Sequence, residues 1–267
     1  MAKKSAPPGH TVTPFPTVRT GVVDFMIMGK KKHNVHGFGE MDVTEPRKII
    51  RNYKERTGTT LSFTGYIVYC LAKAVGENKH MHAIRKRGKV FLFDDVDIGM
   101  IVEEWIDGKQ APMPFRILSA NTKTFSDIQT LIRNAQQGKH DAETIRRRAI
   151  AMKILKLPRW LRVIIYQWLR RNPHSIKKYF GTVGVTAVGM FATGSGWAIP
   201  ISSPSLTVTL GTVVKKPGII DNEIQIREYL NITFTVDHEV IDGSPAARFI
   251  AQLQDAISSA RGLEDYR

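Results

Sequence analysis

Residues 233–249, TFTVDHEVIDGSPAARF, place His238 between an apolar, strand-like run and a segment that could open a helix. Asp242 and Gly243 follow after three intervening residues, and an Asp-Gly pair favours a tight turn. An imidazole in such a turn can face a cleft. Because it titrates near neutral pH, it can remove a proton from a thiol or hydroxyl and later return it. The spacing alone also fits a histidine that is simply polar at a strand end.

The segments before this turn have the alternating pattern of strands, and the segment after it has the pattern of a helix. Three consecutive stretches, GTVGVTAVGMF, LTVTLGTVVKKPG and EIQIREYLNITFTVDHEV, are strand-like with no helix between them. The final stretch places Phe249, Leu253 and Ile257 at four-residue spacing, which predicts an amphipathic helix. Strands that follow one another directly favour a mixed α+β fold over a doubly wound sheet.

The first half of the chain predicts further elements of the same core. HGFGEMDV alternates like a strand, and TEPRKIIRNYKERTG predicts a helix with Thr44 as its N-cap and Gly58 at its end. SFTGYIVYCLAKAVGEN is apolar around much of its circumference, which predicts a central, buried helix. GKVFLFDDVDIGMIVEE predicts a hairpin that turns near Asp94 and Asp95.

The chain carries a large excess of positive charge. It has 267 residues, with 39 Lys and Arg against 24 Asp and Glu, a formal net charge of +15. Residues 141–180 alone contain eleven basic and two acidic residues, in a helical region that Pro158 and Pro173 interrupt. Such an excess attracts anions: nucleic acid, an acidic partner, or a phosphate-rich ligand such as a nucleotide.

The cysteine count and the N-terminus indicate a cytoplasmic protein. Cys70 is the single cysteine and lies in an apolar helical pattern, so we expect a buried thiol and no disulfide. The first ten residues lack the apolar core of a signal peptide. Residues 179–214 carry no charge, but they alternate and are rich in Gly, Ser, Thr and Pro, which predicts strands and turns rather than a membrane span.

Two pairs of histidines have spacings that could suit a metal ion: His33 with His36, and His80 with His82. No cysteine or acidic residue completes either set in the sequence. Structural and catalytic zinc sites use three or four protein ligands. We therefore expect no metal site.

DHEVIDGSPAARFIAQL resembles the end of the catalytic domain of the dihydrolipoamide acyltransferases, the core subunits of 2-oxo acid dehydrogenase complexes. Chloramphenicol acetyltransferase shares the pattern His-x-x-x-Asp-Gly. The resemblance continues upstream, in family order, through HGFGEMDVTEPRKIIRNYKERTGTTLSFTGYIVYCLAKAV, DDVDIGMIVEE, TKTFSDIQTLIRNAQ and GTVGVTAVGMF. It covers roughly residues 17–260 and implies a chloramphenicol acetyltransferase-like mixed sheet with flanking helices, forming trimers.

The resemblance also implies a role for particular residues. His238 matches the general base that deprotonates the thiol of coenzyme A or of dihydrolipoamide. Thr186 matches the hydroxyl residue that donates a hydrogen bond to the tetrahedral oxyanion. Asp242 matches the aspartate that braces the active-site loop, usually through an arginine near the start of the chain, where Arg19 is the loosely aligned candidate. Coenzyme A is then a substrate, and no cofactor-binding residue is assigned.

The family's active site lies between subunits of a trimer, with the histidine from one chain and the hydroxyl from its neighbour. We expect residues 1–16 to be a flexible lead and residues 17–267 to be an acyltransferase-like catalytic domain with a basic helical insertion near residues 141–180. No lipoyl domain is expected on this chain. A separate lipoyl-bearing protein or dehydrogenase subunits would therefore be its partners.

Two residues depart from the family pattern: Glu239 stands where arginine is usual, and Ala187 where asparagine is usual. They keep alternatives open, namely a catalytically weak scaffold that forms a trimer or a larger cage, or a stand-alone acetyltransferase of a small molecule. For residues 141–180 the sequence favours a solvated helical pair packed on the sheet over a membrane-surface contact. Nucleic-acid binding through this region is the weakest alternative, since no recognition motif accompanies the charge.

Overall fold

A computed structural model of the chain describes residues 9, 11–30, 32–106, 109–189 and 194–267. Its helices are α1 (Thr17–Gly29), α2 (Thr44–Thr57), α3 (Phe63–Glu77), α4 (Phe125–Gln136), α5 (Ala142–Leu155), α6 (Arg159–Leu169), α7 (Pro173–Phe180) and α8 (Gly243–Ser258). Its strands are β1 (Asn34–Asp42), β2 (Ile84–Lys86), β3 (Lys89–Phe91), β4 (Ile98–Ile106), β5 (Lys109–Ile117), β6 (Val183–Ala187), β7 (Leu206–Ile220) and β8 (Glu223–Asp237).

The central feature is a mixed sheet with the strand order β1-β8-β7-β6-β4-β5. β6 runs parallel to both β4 and β7, and the other neighbouring pairs are antiparallel. β2 and β3 form a separate small hairpin. The predicted α+β class, a mixed sheet with flanking helices, is therefore confirmed.

Alternation along the strands gives the sheet an apolar inner face and a polar outer face. On β8, Ile232, Phe234 and Val236 are buried in the hydrophobic core, which α3, α4 and α8 complete. The residues between them, Thr233 and Thr235, point to the outer face, where they are also buried. The outer face of these strands is therefore polar and yet buried within the chain.

The helices begin and end close to where their sequence signals predict. α3 is buried along most of its length, and Gly58 ends α2 in the left-handed conformation that glycine adopts at helix ends. The N-cap of α2 is Val43 and not Thr44, which is the first helical residue and donates its hydroxyl to Asp42. That prediction was wrong by one residue.

The hairpin predicted around Asp94 and Asp95 is wrong. The strand before these residues, β3, pairs with β2, and the strand after them, β4, pairs with β5 and β6. Asp94 and Asp95 therefore join two different sheets. The sequence patterns did not predict β5 or α1. β5 contains Pro112 and Pro114, which a paired strand accommodates only at an edge of the sheet. α1 has no acidic or capping residue at its start.

The region of residues 141–180 forms α5, α6 and α7, with Pro158 at the N-cap of α6 and Pro173 at the start of α7. α5 has no buried residue, and α6 buries Arg162 and Leu169. Polar contacts tie these helices to the rest of the chain: Arg148 of α5 pairs with Glu104, and Arg162 of α6 pairs with Asp24. Within the described residues no helix is long and apolar enough to cross a membrane. Residues 1–8 and 10 of the predicted flexible lead lie outside the described residues.

Candidate active site

His238 lies one residue beyond the end of β8, where backbone hydrogen bonds fix its position. Its backbone N–H donates to the carbonyl oxygen of His33 at 2.9 Å, and the N–H of Asp237 donates to the carbonyl oxygen of Ser205 at the same distance. The His238 side chain is exposed, and its ring makes no hydrogen bond to any residue that the structure describes. The main chain is therefore held while the imidazole stays free to meet a substrate.

Two backbone hydrogen bonds to the Asp237 carbonyl oxygen form the turn from β8 into α8. The backbone N–H groups of Val240 and Ile241 both donate to the Asp237 oxygen, at 3.0 and 3.1 Å, and the side chain of Ile241 is buried in the core. The Asp242 carbonyl then accepts from the N–H of Ala246 at 3.1 Å as α8 begins. The sequence folds this way locally because an apolar residue anchors the middle of a polar turn.

The expected brace between Asp242 and Arg19 is not formed within the chain. The Asp242 carboxylate is exposed and does not cap α8, and no ion pair joins it to Arg19 or to another described residue. Instead, Lys32 Nζ donates to Asp237 Oδ2 at 2.7 Å, and the Asp237 side chain is almost fully buried. A buried ion pair on the preceding residue thus holds the base of the His238 turn to the segment before β1.

Glu239, the residue that departs from the family pattern, is at the centre of a small charged cluster beside His238. Its carboxylate accepts from His33 Nδ1 at 2.7 Å and from Arg85, which β2 supplies. The hydrogen bonds from His33, and then from Arg85, lower the pKa of Glu239. The Glu239 carboxylate therefore remains ionised, and its hydrogen-bond partners are two residues of the same chain.

Thr186 lies on β6, half-buried on the outer face of the sheet. In register it faces Thr209 on β7, which in turn faces Thr233 on β8, so three threonine hydroxyls form a row across adjacent strands. The Oγ1 atoms of Thr209 and Thr233 are buried, without a partner among the described residues. Neither does the Thr186 hydroxyl hydrogen-bond to a described residue, so it is free to donate to a ligand.

Thr186 and His238 do not meet within one chain. Thr186 is level with Thr233 but two strands away, and His238 lies five residues further along β8. With strands about 4.8 Å apart and about 3.3 Å per residue along a strand, their Cα atoms are about 19 Å apart. Hydrogen-bond distances are about 3 Å. One chain supplies both groups, but at two different places on its surface.

The cysteine and two of the histidines considered from the sequence are buried or hydrogen-bonded within the chain. Cys70 is buried in α3, and burial raises the pKa of its thiol to about 12, so it is not a nucleophile at neutral pH. His36 Nδ1 is 2.9 Å from the Thr235 hydroxyl, and His82 Nδ1 is 2.9 Å from the Thr182 hydroxyl. These histidines are engaged with threonines.

Sequence reasoning missed Lys32, Arg85 and the row of outer-face threonines. The threonines had a visible signal, because LTVTL and NITFTVD repeat threonine at every second residue, the period of one strand face. The pairing of Lys32 with Asp237 had none, since it depends on the register between β1 and β8 and joins residues 205 positions apart.

Comparisons with known proteins identify relatives of this fold. The model of the family described as 2-oxoacid dehydrogenases acyltransferase (catalytic domain) matches residues 170–263. The lipoamide acyltransferase component of the branched-chain alpha-keto acid dehydrogenase complex of Bacillus subtilis is 23% identical over 229 residues, which are 82% of this chain and 45% of that protein. The dihydrolipoyllysine-residue acetyltransferase component of the pyruvate dehydrogenase complex of Mycoplasma capricolum is 24% identical over 97% of this chain and 53% of its own. The chain thus spans about half the length of the curated relatives it matches.

Solved structures share the fold over almost the whole chain. A probable dihydrolipoamide acetyltransferase from Listeria monocytogenes superimposes with a TM-score of 0.69 at 18% identity, covering 94% of this chain and 96% of that one. The dihydrolipoamide acetyltransferase of Azotobacter vinelandii superimposes with a TM-score of 0.66 at 16% identity, covering 98% and 99%. The resemblance predicted from the sequence is confirmed: this chain has the fold of the dihydrolipoamide acyltransferase catalytic domain, and residues 170–263 carry the match to that family.

Proposed function

We propose that the protein is an acyltransferase that moves an acyl group between coenzyme A and a dihydrolipoyl acceptor. His238 is the general base and Thr186 the oxyanion donor. Asp242 is the proposed brace of the His238 turn, a role for which the described residues of a single chain supply no side-chain partner. The curated relatives are acyltransferase components of 2-oxo acid dehydrogenase complexes, which supports this assignment.

The observation that carries the proposal is the number of residues that separate the three proposed site residues along the chain. The Azotobacter vinelandii enzyme has been investigated for the catalytic roles of a serine, a histidine and an asparagine, in which the histidine follows the serine by 52 residues and precedes the asparagine by four. In this chain His238 follows Thr186 by 52 residues and precedes Asp242 by four. A threonine hydroxyl donates a hydrogen bond as a serine hydroxyl does.

The reaction requires a base and an oxyanion donor in turn. The His238 imidazole takes the proton of the attacking thiol, and the thiolate forms a new carbon–sulfur bond at the thioester carbonyl. The Thr186 hydroxyl donates to the oxyanion of the tetrahedral intermediate, where such a donor contributes about 3 kcal/mol. When the intermediate collapses, the original carbon–sulfur bond breaks and the leaving thiolate receives the proton from His238.

Because Thr186 and His238 lie about 19 Å apart in one chain, a site that uses both would take them from two chains. We propose a homotrimer in which each site takes His238 from one subunit and Thr186 from the next. Apolar side chains that a single chain leaves exposed support such an assembly. Phe38 lies on the outer face of the sheet, and Ile219, Ile224 and Ile226 lie at the end of the long β7–β8 hairpin.

The partner of such a trimer would be a lipoyl-bearing protein, together with dehydrogenase subunits. The positive charge of the chain suits the phosphate groups of coenzyme A, since a positive field raises the local concentration of an anionic substrate. A protein with these substrates, one buried free thiol and no disulfide would work in the cytoplasm.

The direct test measures acyl transfer from acetyl-, succinyl- and isobutyryl-coenzyme A to dihydrolipoamide. The native protein should transfer at least one of these acyl groups, and His238→Ala should lose about 10²–10⁴-fold in kcat, the typical contribution of general acid–base catalysis. Equal activity of the two proteins would refute the mechanism. A large assembly that neither binds coenzyme A in calorimetry nor transfers any acyl group would favour the scaffold.

A further inference from the structure

The helix α6 exposes a stripe of large apolar side chains. Trp160, Ile164 and Trp168 are 66%, 54% and 65% exposed and follow one another at four-residue spacing, so they lie on one side of the helix. The buried residues Arg162 and Leu169 face the protein. Two tryptophans on one exposed stripe are not explained by packing within the chain.

The stripe has a fixed orientation because α6 is tied to α1 by a buried ion pair. Arg162 Nε donates to Asp24 Oδ2 at 2.8 Å, Nη2 donates to Oδ1 at 3.3 Å, and both side chains are almost fully buried. Arg162 Nη1 also donates to the Leu157 carbonyl at 2.6 Å. The helix is therefore presented in one orientation.

Exposed basic residues lie at both ends of α6. Lys156, Arg159 and Arg171 are exposed at the two ends of α6, and residues 141–180 contain eleven basic and two acidic residues. The neighbouring helix α5 exposes further apolar and basic side chains: Ile145, Arg146, Ile150, Met152 and Lys153. The exposed side chains of α5 and α6 are thus aromatic, aliphatic and basic, which is the composition of helices that lie in a membrane interface.

Charge argues against a second copy of the chain as the occupant. Two such surfaces in contact would bring like charges together. The rest of the chain is basic too, with 28 Lys and Arg against 22 Asp and Glu, and so offers no acidic counterpart overall. Nucleic acid suits the charge but not the aliphatic side chains Ile145, Ile150 and Ile164, because single-stranded nucleic acid binds by stacking on aromatic rings in a groove.

We propose that the α5–α6 surface binds anionic lipid bilayers peripherally. Trp160, Ile164 and Trp168 would enter the headgroup region, where amphipathic rings are favoured, and the exposed lysines and arginines would pair with anionic headgroups. This interaction holds the protein at a membrane surface and is separate from the His238 site.

The test is sedimentation of the full-length protein with lipid vesicles. The native protein should sediment with phosphatidylcholine vesicles that contain phosphatidylglycerol and should stay in solution with phosphatidylcholine alone. Added salt should weaken binding, because it screens the headgroup charges. The double variant Trp160→Gln/Trp168→Gln should bind at least about tenfold more weakly, since each tryptophan contributes its buried apolar area. The matched control Trp105→Gln removes an equally exposed tryptophan that lies on β4 and not on α6, and it should bind like the native protein.

Four results would overturn the proposal. The first is no sedimentation with anionic vesicles at low salt. The second is equal binding of the native protein and the double variant, which would make the contact purely electrostatic. The third is a smaller mass of the double variant in light scattering, which would make the stripe an interface between copies of the chain. Retardation of RNA or DNA that depends on the same two tryptophans, without vesicle binding, would assign the surface to nucleic acid.

Discussion

At the scale of single residues, the proposed mechanism needs His238 and Thr186 to be uncommitted, and both are. The imidazole is exposed and the Thr186 hydroxyl is half-buried, and neither is engaged by a side chain of the described residues. By contrast, Glu239 and Asp237 are occupied by ion pairs that stabilise the turn between them. The departure at Glu239 is therefore accommodated structurally and leaves His238 free.

The first prediction concerns the oxyanion donor. Thr186→Val keeps the shape of the side chain but removes the hydroxyl, so kcat should fall by about 10²–10³-fold with little change in KM. Thr186→Ser keeps the donor and should retain most of the activity. Steady-state kinetics of both variants give the comparison. Full activity of the valine variant would exclude Thr186 from the reaction.

At the scale of elements, sequence patterns predicted well wherever local chemistry sets the structure. The buried helix α3, the breaks at Pro158 and Pro173 and the amphipathic α8 follow from periodicity and proline geometry. The pairing of β3 was wrong because partner choice depends on the whole sheet, and the strand on each side of Asp94 was equally suited to a hairpin. Lys32 was missed for the same reason: its partner Asp237 is adjacent only after β1 and β8 pair.

The second prediction concerns the short 3-10 helix of residues 79–82, which joins α3 to β2. Burial, with a smaller contribution from the charge of Lys177, lowers the pKa of His82 to about 4. The unfolded chain takes up a proton near pH 6.5 and the folded chain does not, so the stabilisation is complete above pH 6.5 and is lost as the pH falls towards 4. From pH 6.5 to 5 the loss from His82 should be about 2 kcal/mol in the free energy of unfolding.

Urea denaturation at the two pH values measures this loss, and His82→Gln is the control because it cannot take up a proton. The free energy of unfolding of the variant should fall less over this interval, by about 2 kcal/mol. The same pH dependence in both proteins would show that other groups determine the acid sensitivity.

The third prediction concerns the attachment of α6. Asp24→Asn leaves the Arg162 guanidinium buried without its counter-charge, which should cost about 3 kcal/mol and release α6 from α1. Hydrogen–deuterium exchange should therefore become faster in α6. Glu143→Gln, which removes the exposed pair with Arg147, should change the free energy of unfolding by less than about 0.5 kcal/mol. Equal effects of the two substitutions would contradict the anchoring role of Asp24.

At the scale of the whole molecule, the sheet holds the two proposed catalytic groups apart. The register across β6, β7 and β8 fixes the distance between Thr186 and His238, so no side-chain rotation can bring them together. The family resemblance in the sequence proposes both residues. The proposal that the two residues come from different chains is supported by this distance. The distance follows from the sheet register, and the sequence motif does not contain it.

Mixing two inactive variants tests this central claim most directly. His238→Ala and Thr186→Val chains, co-expressed in equal amounts and purified as mixed assemblies, should recover about one quarter of the native activity. Random assembly places an intact histidine beside an intact threonine of the next chain in about one site in four. Light scattering should give the mass of three chains or a multiple of it. If mixed assemblies were as inactive as the two separate variants, His238 and Thr186 would not form one site between neighbouring chains.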